Sequence, residues 1–338
     1  MQRVDSGINR FVDWLNEFGP VSFDHQSYFA GPVGGRAKAL YYRNRALGTL
    51  AVAPMIFSEA FLPQARVLFW RKQRFPIADA HYAMGFALLA KATGKSAYHA
   101  EALEFLDALE RSRSPSYEHY CWGYPFDWVT RNGVMKAGTP LITTTPYAYE
   151  AFAYAYAVDQ NERWREIMHS IAEHAAEDIQ DREISADVAT AGYAPYDKKG
   201  GVVNASAYRA FLLTSAALTF ERDDWHEKAR RNMNFVLQAQ RDDGSWPYAV
   251  DGVRPFVDHF HTCFVMKALA KIERLTGHAG CTQALEAGVD YYTRNLFDED
   301  GLPKPFSEAP RMTVYRQELY DCAEAINIGV LLKGRFAA

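Results

Sequence analysis

The residues able to do chemistry fall into a few short clusters. VDHFHTC supplies Asp258, His259 and His261, with two imidazoles two residues apart, and histidine is the usual proton carrier near neutral pH. TTTPYAYE supplies Tyr147, Tyr149 and Glu150. A phenol can give or take a proton when a cation favours its ionised form, whereas a carboxylate near a helix start also complements the helix dipole. YEHYCWGYPFDWVTRNG gathers Tyr120, Trp122, Tyr124, Asp127, Trp128 and Arg131. Its rings suit the flat apolar face of a sugar, and Asp127 and Arg131 suit hydroxyls or a carboxylate; packing the end of a helical barrel is the alternative role. GYAPYDKKGGVVNASAYR adds Tyr193, Tyr196, Asp197, Asn204 and Arg209, with Asn204 expected to cap a helix or offer its amide to a substrate. VYRQELYD adds Tyr315, Arg316, Glu318, Tyr320 and Asp321, and FPIADAHYAMGF adds Asp79 and His81.

Two reactions fit this inventory. Hydrolysis of a glycoside wants paired carboxylates, and Asp79, Asp127, Glu150, Asp197 and Asp258 offer several pairs. Lyase or C5-epimerase chemistry removes a sugar proton with a base such as Tyr or His and neutralises a uronate carboxylate with a cation or amide. That inventory is the richer one, so a uronate-containing glycan is the expected substrate. Tyr147, His259, His261, Tyr196, Tyr315 and Asp127 are the catalytic candidates. Trp122, Tyr124, Trp128, Arg131, Glu150, Asn204, Arg316, Asp258, Asp79 and His81 are the substrate-binding candidates. His261, Cys263, Cys121 and Cys322 form a rival zinc set, but the Cys-His-Gly tripeptide of lanthionine-cyclase-like zinc sites is absent, so neither a metal nor another cofactor is expected.

Two alternating kinds of helix must position these clusters. HYAMGFALLAKATG, PYAYEAFAYAYAVD, NASAYRAFLLTSAALTF, HFHTCFVMKALAKI and ELYDCAEAINIGVLL have no polar face, and such helices must be buried on every side. AYHAEALEFLDALERS, ERWREIMHSIAEHAAEDI, WHEKARRNMNFVLQAQ and TQALEAGVDYYTRNLF are amphipathic and read as an outer layer. The apolar starts recur at roughly 55 to 65 residues, the length of a long hairpin. With AKALYYRNRALGTLAVAPMIF they make about six inner helices, enough to close a ring whose inner N-termini share one mouth. The expected architecture is an all-α (α/α)6 toroid forming a single domain over 1–338. Minor β pieces are expected around Tyr117–Leu141 and Ser185–Val203.

MNFVLQAQRDDGSWPY resembles the Q-x-x-x-G-x-W repeat of terpenoid-cyclase-like toroids through Gln240, Gly244 and Trp246, and DYYTRNLFDEDGLPKPF resembles a degenerate copy. The resemblance implies the toroid class that terpenoid cyclases share with six-hairpin glycosidases, polysaccharide lyases and glucuronyl C5-epimerases. VDHFHTCFVMKALAKI is closer to the carbohydrate-active members. The whole chain is similar to uncharacterised proteins associated with bacterial exopolysaccharide and O-antigen synthesis, which implies a role in making or processing a glycan. A cyclase would need a DxDD or DDxxD motif at an inner helix start, and none stands there; a non-catalytic glycan-binding protein would keep the aromatics alone.

Composition agrees. The chain has 20 Tyr, 21 Phe and 7 Trp, more rings than a core of this size needs. A net charge of -4 with scattered signs offers no basic stripe for nucleic acid. Four well-separated cysteines read as reduced thiols, and neither a signal-peptide pattern nor a membrane-spanning run is visible, so a cytoplasmic protein is expected.

Overall fold

The computed structural model describes residues 2–24, 27–131, 133–310 and 317–335. It divides into two compact units, one comprising 1–117, 122–139 and 150–160, the other 118–121, 140–149 and 161–338. Each is built mainly of helical hairpins.

The first unit contains α1 (Gln2–Phe18), α2 (Ser27–Ala30), α3 (Pro32–Arg43), α4 (Arg45–Phe61), α5 (Pro76–Thr93) and α6 (Ser96–Arg111). It also holds the β1–β2 hairpin (Trp128–Thr130, Gly133–Met135) and all but the first turn of α7 (Thr145–Asp159). The segment expected to be one inner helix near the N-terminus is instead the α3–α4 hairpin. Asn44 takes an extended backbone (φ −142°, ψ 106°) that ends α3, and its side chain accepts the Leu47 N–H to start α4. Nor is α4 enclosed, since Leu47, Leu50, Phe57 and Phe61 are exposed along it. α5 and α6 pack through stacked Phe86 and Phe105 rings 5.8 Å apart.

The second unit contains α8 (Glu162–Glu173), which runs on into a π-turn at His174–Asp178, and α9 (Val203–Phe220), α10 (Asp223–Gln238), α11 (His259–Thr276), α12 (Ala279–Asn295) and α13 (Leu319–Leu331). The antiparallel hairpin β3–β4 (Asp181–Ser185, Val188–Ala191) and the antiparallel pair β5–β6 (Val257–Asp258, Phe306–Glu308), whose strands flank α11 and α12 in sequence, accompany them. α9 is buried at every position from Val203 to Thr214, and α11 from Thr262 to Ala270. α9 packs on α11 and α11 on α13, while α10 and α12 cover them with one wet face each. α9 and α11 are thus enclosed, as their lack of a polar side requires, whereas α13, expected to be buried all round, leaves Leu319, Ile326 and Val330 exposed. Ile328 and Leu332 tie the α13 end into this core.

The Gln-Gly-Trp repeat works as a clamp between α10 and α12. Gln240 Nε2 donates to the carbonyls of Gly244 (3.0 Å) and Ala284 (2.8 Å), and Trp246 Nε1 donates to Val236 O at 3.0 Å. Gly244 holds φ +91° where a Cβ would sit 2.3 Å from the Ala287 carbonyl oxygen. Arg209, wholly buried, is structural as well: it ion-pairs with Asp181 and donates to Asn232 Oδ1 (3.1 Å) and Ala175 O (2.6 Å). Among the described residues no helix is long and apolar enough to cross a membrane.

Candidate functional site

The second unit assembles a site where its inner helices begin. α11 opens on Asp258, whose extended backbone makes it the N-cap and whose Oδ1 accepts the His261 backbone N–H at 3.0 Å. The other carboxylate oxygen lies 2.6 Å from His261 Nδ1. One side chain therefore caps the helix and fixes the imidazole, with the Nδ1–H donating to Asp258. In the neutral ring this leaves the lone pair on Nε2, which has no hydrogen bond among the described residues. The His261 side chain keeps 19% of its surface in solvent. Rings crowd it, with Phe260 at 4.3 Å, Tyr248 at 4.6 Å and Phe264 at 5.7 Å between centroids.

Behind this dyad runs a buried polar chain. Lys267 Nζ lies 2.6 Å from Glu324 Oε2, in the geometry of an ion pair rather than a directed hydrogen bond, and donates to Tyr147 OH at 3.0 Å. Tyr147 OH meets Tyr208 OH at 2.7 Å. Phe264 joins the two groups: its ring faces His261 and also carries the Lys267 ammonium 5.2 Å from its centroid. Burial, reinforced by the neighbouring Tyr147, raises the Tyr208 phenol well above its usual pKa, so it serves here as a neutral donor and acceptor. Asp321, one turn before Glu324, is fully buried with both oxygens unpartnered among the described residues. Burial first, then Glu318, Asp258 and Glu324, push its pKa up to about 8.

Of the expected residues, then, Tyr147, Asp258 and His261 come together. His259 does not join them. Its Nδ1 bonds Leu296 O (3.2 Å) and its Nε2 Tyr292 OH (2.8 Å), and burial lowers its pKa to about 4, so it is a core histidine with both nitrogens occupied. Asn204 lies inside the first turn of α9 and is not its cap; Val202 holds that place, and the Asn204 amide is buried with neither polar atom bonded among the described residues. Tyr196 stands exposed in the loop before α9. Tyr315 and Arg316 lie outside the described residues. In place of a zinc set, the Cys263 thiol donates to Tyr292 OH at 3.5 Å, and among the described residues no three His, Cys, Asp or Glu side chains group as metal ligands.

The remaining candidates belong to the first unit. Trp122 is no sugar platform, because the indole is completely enclosed, stacks on Phe152 and donates to Leu109 O at 2.7 Å. Asp127 anchors the β1–β2 hairpin through Lys136 (2.7 Å) and the Ala137 N–H, and the Lys136 hydrogen bond holds its pKa below the usual carboxylate value. Tyr124 packs edge-on against Trp128 at 5.4 Å, and Arg131 is exposed at the hairpin tip. Asp79 is neither a cap nor free: Phe75 is the N-cap of α5, and both Asp79 oxygens take the Arg74 Nε–H. His81 donates from Nδ1 to Ile77 O at 2.7 Å, and Glu150 is buried on α7.

Lys267, Glu324 and Tyr208 are absent from the sequence-based candidates, and Asp321 stands there only as a member of its cluster, with no role assigned. A signal for the first two existed, since a charge inside a faceless helix cannot be solvated and must be paired across to another element. What fixes the partner is tertiary.

No family model matches the chain, and no curated protein does. Solved structures do. A cellobiose 2-epimerase from Spirochaeta thermophila superposes with a TM-score of 0.55 at 17% identity, covering 88% of this chain and 84% of that one. A D-mannose isomerase gives 0.55 at 12%, covering 90% and 85%. A polysaccharide lyase gives 0.51 at 12%, covering 78% and 75%. These neighbours are (α/α)6 toroids, and the chain shares their fold.

Proposed function

We propose that this chain is a carbohydrate-active enzyme that moves a proton on a sugar carbon, as an epimerase or lyase does, with His261 as the base. The observation that carries the reading is the imidazole itself: Nδ1 fixed by a buried Asp258, Nε2 without a hydrogen bond among the described residues, part of the ring in solvent and aromatic faces around it. A base oriented in this way is worth about 10² to 10⁴ in rate. Aromatic faces beside it suit the apolar side of a pyranose. Tyr147, bonded to both Lys267 and Tyr208, supplies a second group able to hold or pass a proton. The shared fold supports the carbohydrate class without choosing between its reactions, because the superposed structures are named as sugar epimerases, an isomerase, a lyase, mannanases and a glycosyl hydrolase.

Hydrolysis is the second reading, favoured by Asp321, which carries its proton at neutral pH as a glycosidase acid must. The four cysteines form no disulfide, and three of them are buried, which supports a reducing compartment and hence synthesis or processing of a glycan inside the cell.

The test incubates the full chain with neutral and uronate oligosaccharides in deuterated water and follows deuterium entering carbon, unsaturated product and new reducing ends. Carbon-bound deuterium or unsaturation that drops at least a hundredfold in His261→Gln, with sugar binding retained, supports proton transfer. Reducing ends alone, unaffected by that substitution, replace it with the hydrolase.

A further inference from the structure

One face of α4 belongs to the interior of the first unit: Gly48 lies against the Tyr41 backbone, Met55 joins Tyr28 and Ala37 in a small core, and Ser58 bonds the Tyr28 hydroxyl. A second face is apolar and left in water. Leu47, Leu50, Pro54, Phe57 and Phe61 recur at intervals of three or four along it, and no charge falls between Arg45 and Glu59. The 3₁₀ turn Pro63–Leu68 packs on α4 and adds Val67 and Leu68. Leu47, Leu50, Phe57, Phe61, Val67 and Leu68 are each more than half exposed, in all about 600 Å² of apolar surface, the upper end of what a monomer leaves in water.

The charge around this stripe is one-sided. Residues 27–74 hold eight Lys and Arg against a single acid, Glu59, in a chain whose net charge is -4, so the signs are not scattered here. Arg66 and Arg74 are ion-paired with Glu59 and Asp79, and Lys38 lies over the Phe29 and Trp128 rings. Arg36, Arg43, Arg45, Arg71 and Lys72 are exposed and make no ion pair among the described residues. In chain order they fall before Leu47 and after Leu68, at the two ends of the apolar run. Residues 1–4, His25, Gln26 and Asn132, whose side chains lie outside the described set of this unit, include no acid.

We infer that α4 and its basic flanks are a docking surface for a lipid bilayer with anionic headgroups. Arginine and lysine meet the phosphate layer, and the Leu and Phe stripe lies in the boundary between headgroups and acyl chains, as an amphipathic helix does. Each half supplies what the other lacks, since apolar contact alone would admit any bilayer and charge alone any polyanion. Charge also disfavours a second copy as the occupant, because a two-fold contact through α4 would set the same cations against one another. The inference is independent of the carbohydrate reading.

Cosedimentation of the full chain with vesicles tests it, using phosphatidylcholine alone and phosphatidylcholine with about a third phosphatidylglycerol. The mixed vesicles should bind at least tenfold more strongly, and the excess should fall away at high salt. A basic side chain at an anionic surface is worth about fivefold in partition, so Arg43→Gln with Arg45→Gln should weaken binding about 25-fold. Leu50→Ser with Phe57→Ser should weaken it at least tenfold with the circular dichroism unchanged; the exposed Gln pair keeps the test decisive if the Ser pair disturbs α4. No binding, equal binding to both vesicle types, or binding indifferent to both double variants overturns the inference. Inorganic polyphosphate bound as tightly as the mixed vesicles, by wild type and Ser variant alike, replaces the bilayer with a soluble polyanion. A dimer that the Ser variant breaks, found without vesicle binding, replaces it with a second copy.

Discussion

At the scale of single residues, the site turns on the difference between two histidines two positions apart. His261 has one nitrogen held and one without a hydrogen bond among the described residues, whereas His259 has both nitrogens occupied inside the core. The sequence presents them as equals, because type and spacing say nothing about which ring faces the interior. Lys267 is the other decisive residue. Burying an ammonium is tolerable only beside a carboxylate, and Glu324 supplies it at 2.6 Å. Lys267→Met should therefore cost about 3–5 kcal/mol by leaving Glu324 charged and unpaired, while Lys267→Met with Glu324→Leu should recover most of that loss. Urea denaturation of the two variants checks this, and equal stabilities would remove the ion pair as the reason the two residues are there.

At the scale of elements, legibility follows solvation. α5, α7, α9 and α11 were readable because a helix with no polar side has nowhere to go but inside, and α6, α8, α10 and α12 because charge fell on one face only; α13 has the same apolar pattern yet leaves Leu319, Ile326 and Val330 exposed. The α3–α4 break was not readable, since Asn44 ends one helix and begins the next by adopting an extended backbone that its neighbours' propensities do not announce. The Gln-Gly-Trp clamp was readable as a motif, and its mechanics explain why glycine stands in it. Gly244→Ala must place a methyl against the Ala287 carbonyl at a positive φ, and should destabilise the second unit by about 1–3 kcal/mol. Thermal melts of that variant give the answer; an unchanged midpoint would mean that the turn relaxes freely.

At the scale of the molecule, the buried titratable groups tie stability to pH in opposite senses. His259 has a folded pKa of about 4 against an ordinary value of 6.5, so the native state binds fewer protons between those values. Its contribution is complete above about pH 6.5 and is lost as pH falls toward 4, about 3 kcal/mol at most. Asp321 runs the other way. With a folded pKa of about 8 against 3.8, it keeps a proton that the unfolded chain has released, so stability declines as pH rises from about 4 to about 8 and then levels off. The slope from one such group is about 1.4 kcal/mol per pH unit. Measured against wild type by urea midpoints, Asp321→Asn should gain stability steadily across that window, and His259→Gln should gain it only on acidification. Differences that stay flat with pH would show that neither group keeps its buried protonation state.

The sequence by itself determined the helical class, the inner and outer layers, the clamp motif and the clusters at the starts of inner helices. It could do so because burial of apolar surface is written locally, in the period of each helix. It did not determine which polar residues meet, since an ion pair such as Lys267–Glu324 or a contact such as Tyr147–Tyr208 joins positions 57 and 61 residues apart. Nor could it separate a ring that lines a cleft from one that fills a core, as Trp122 shows. Those choices depend on which side of each helix its neighbours cover, and only packing in three dimensions decides that.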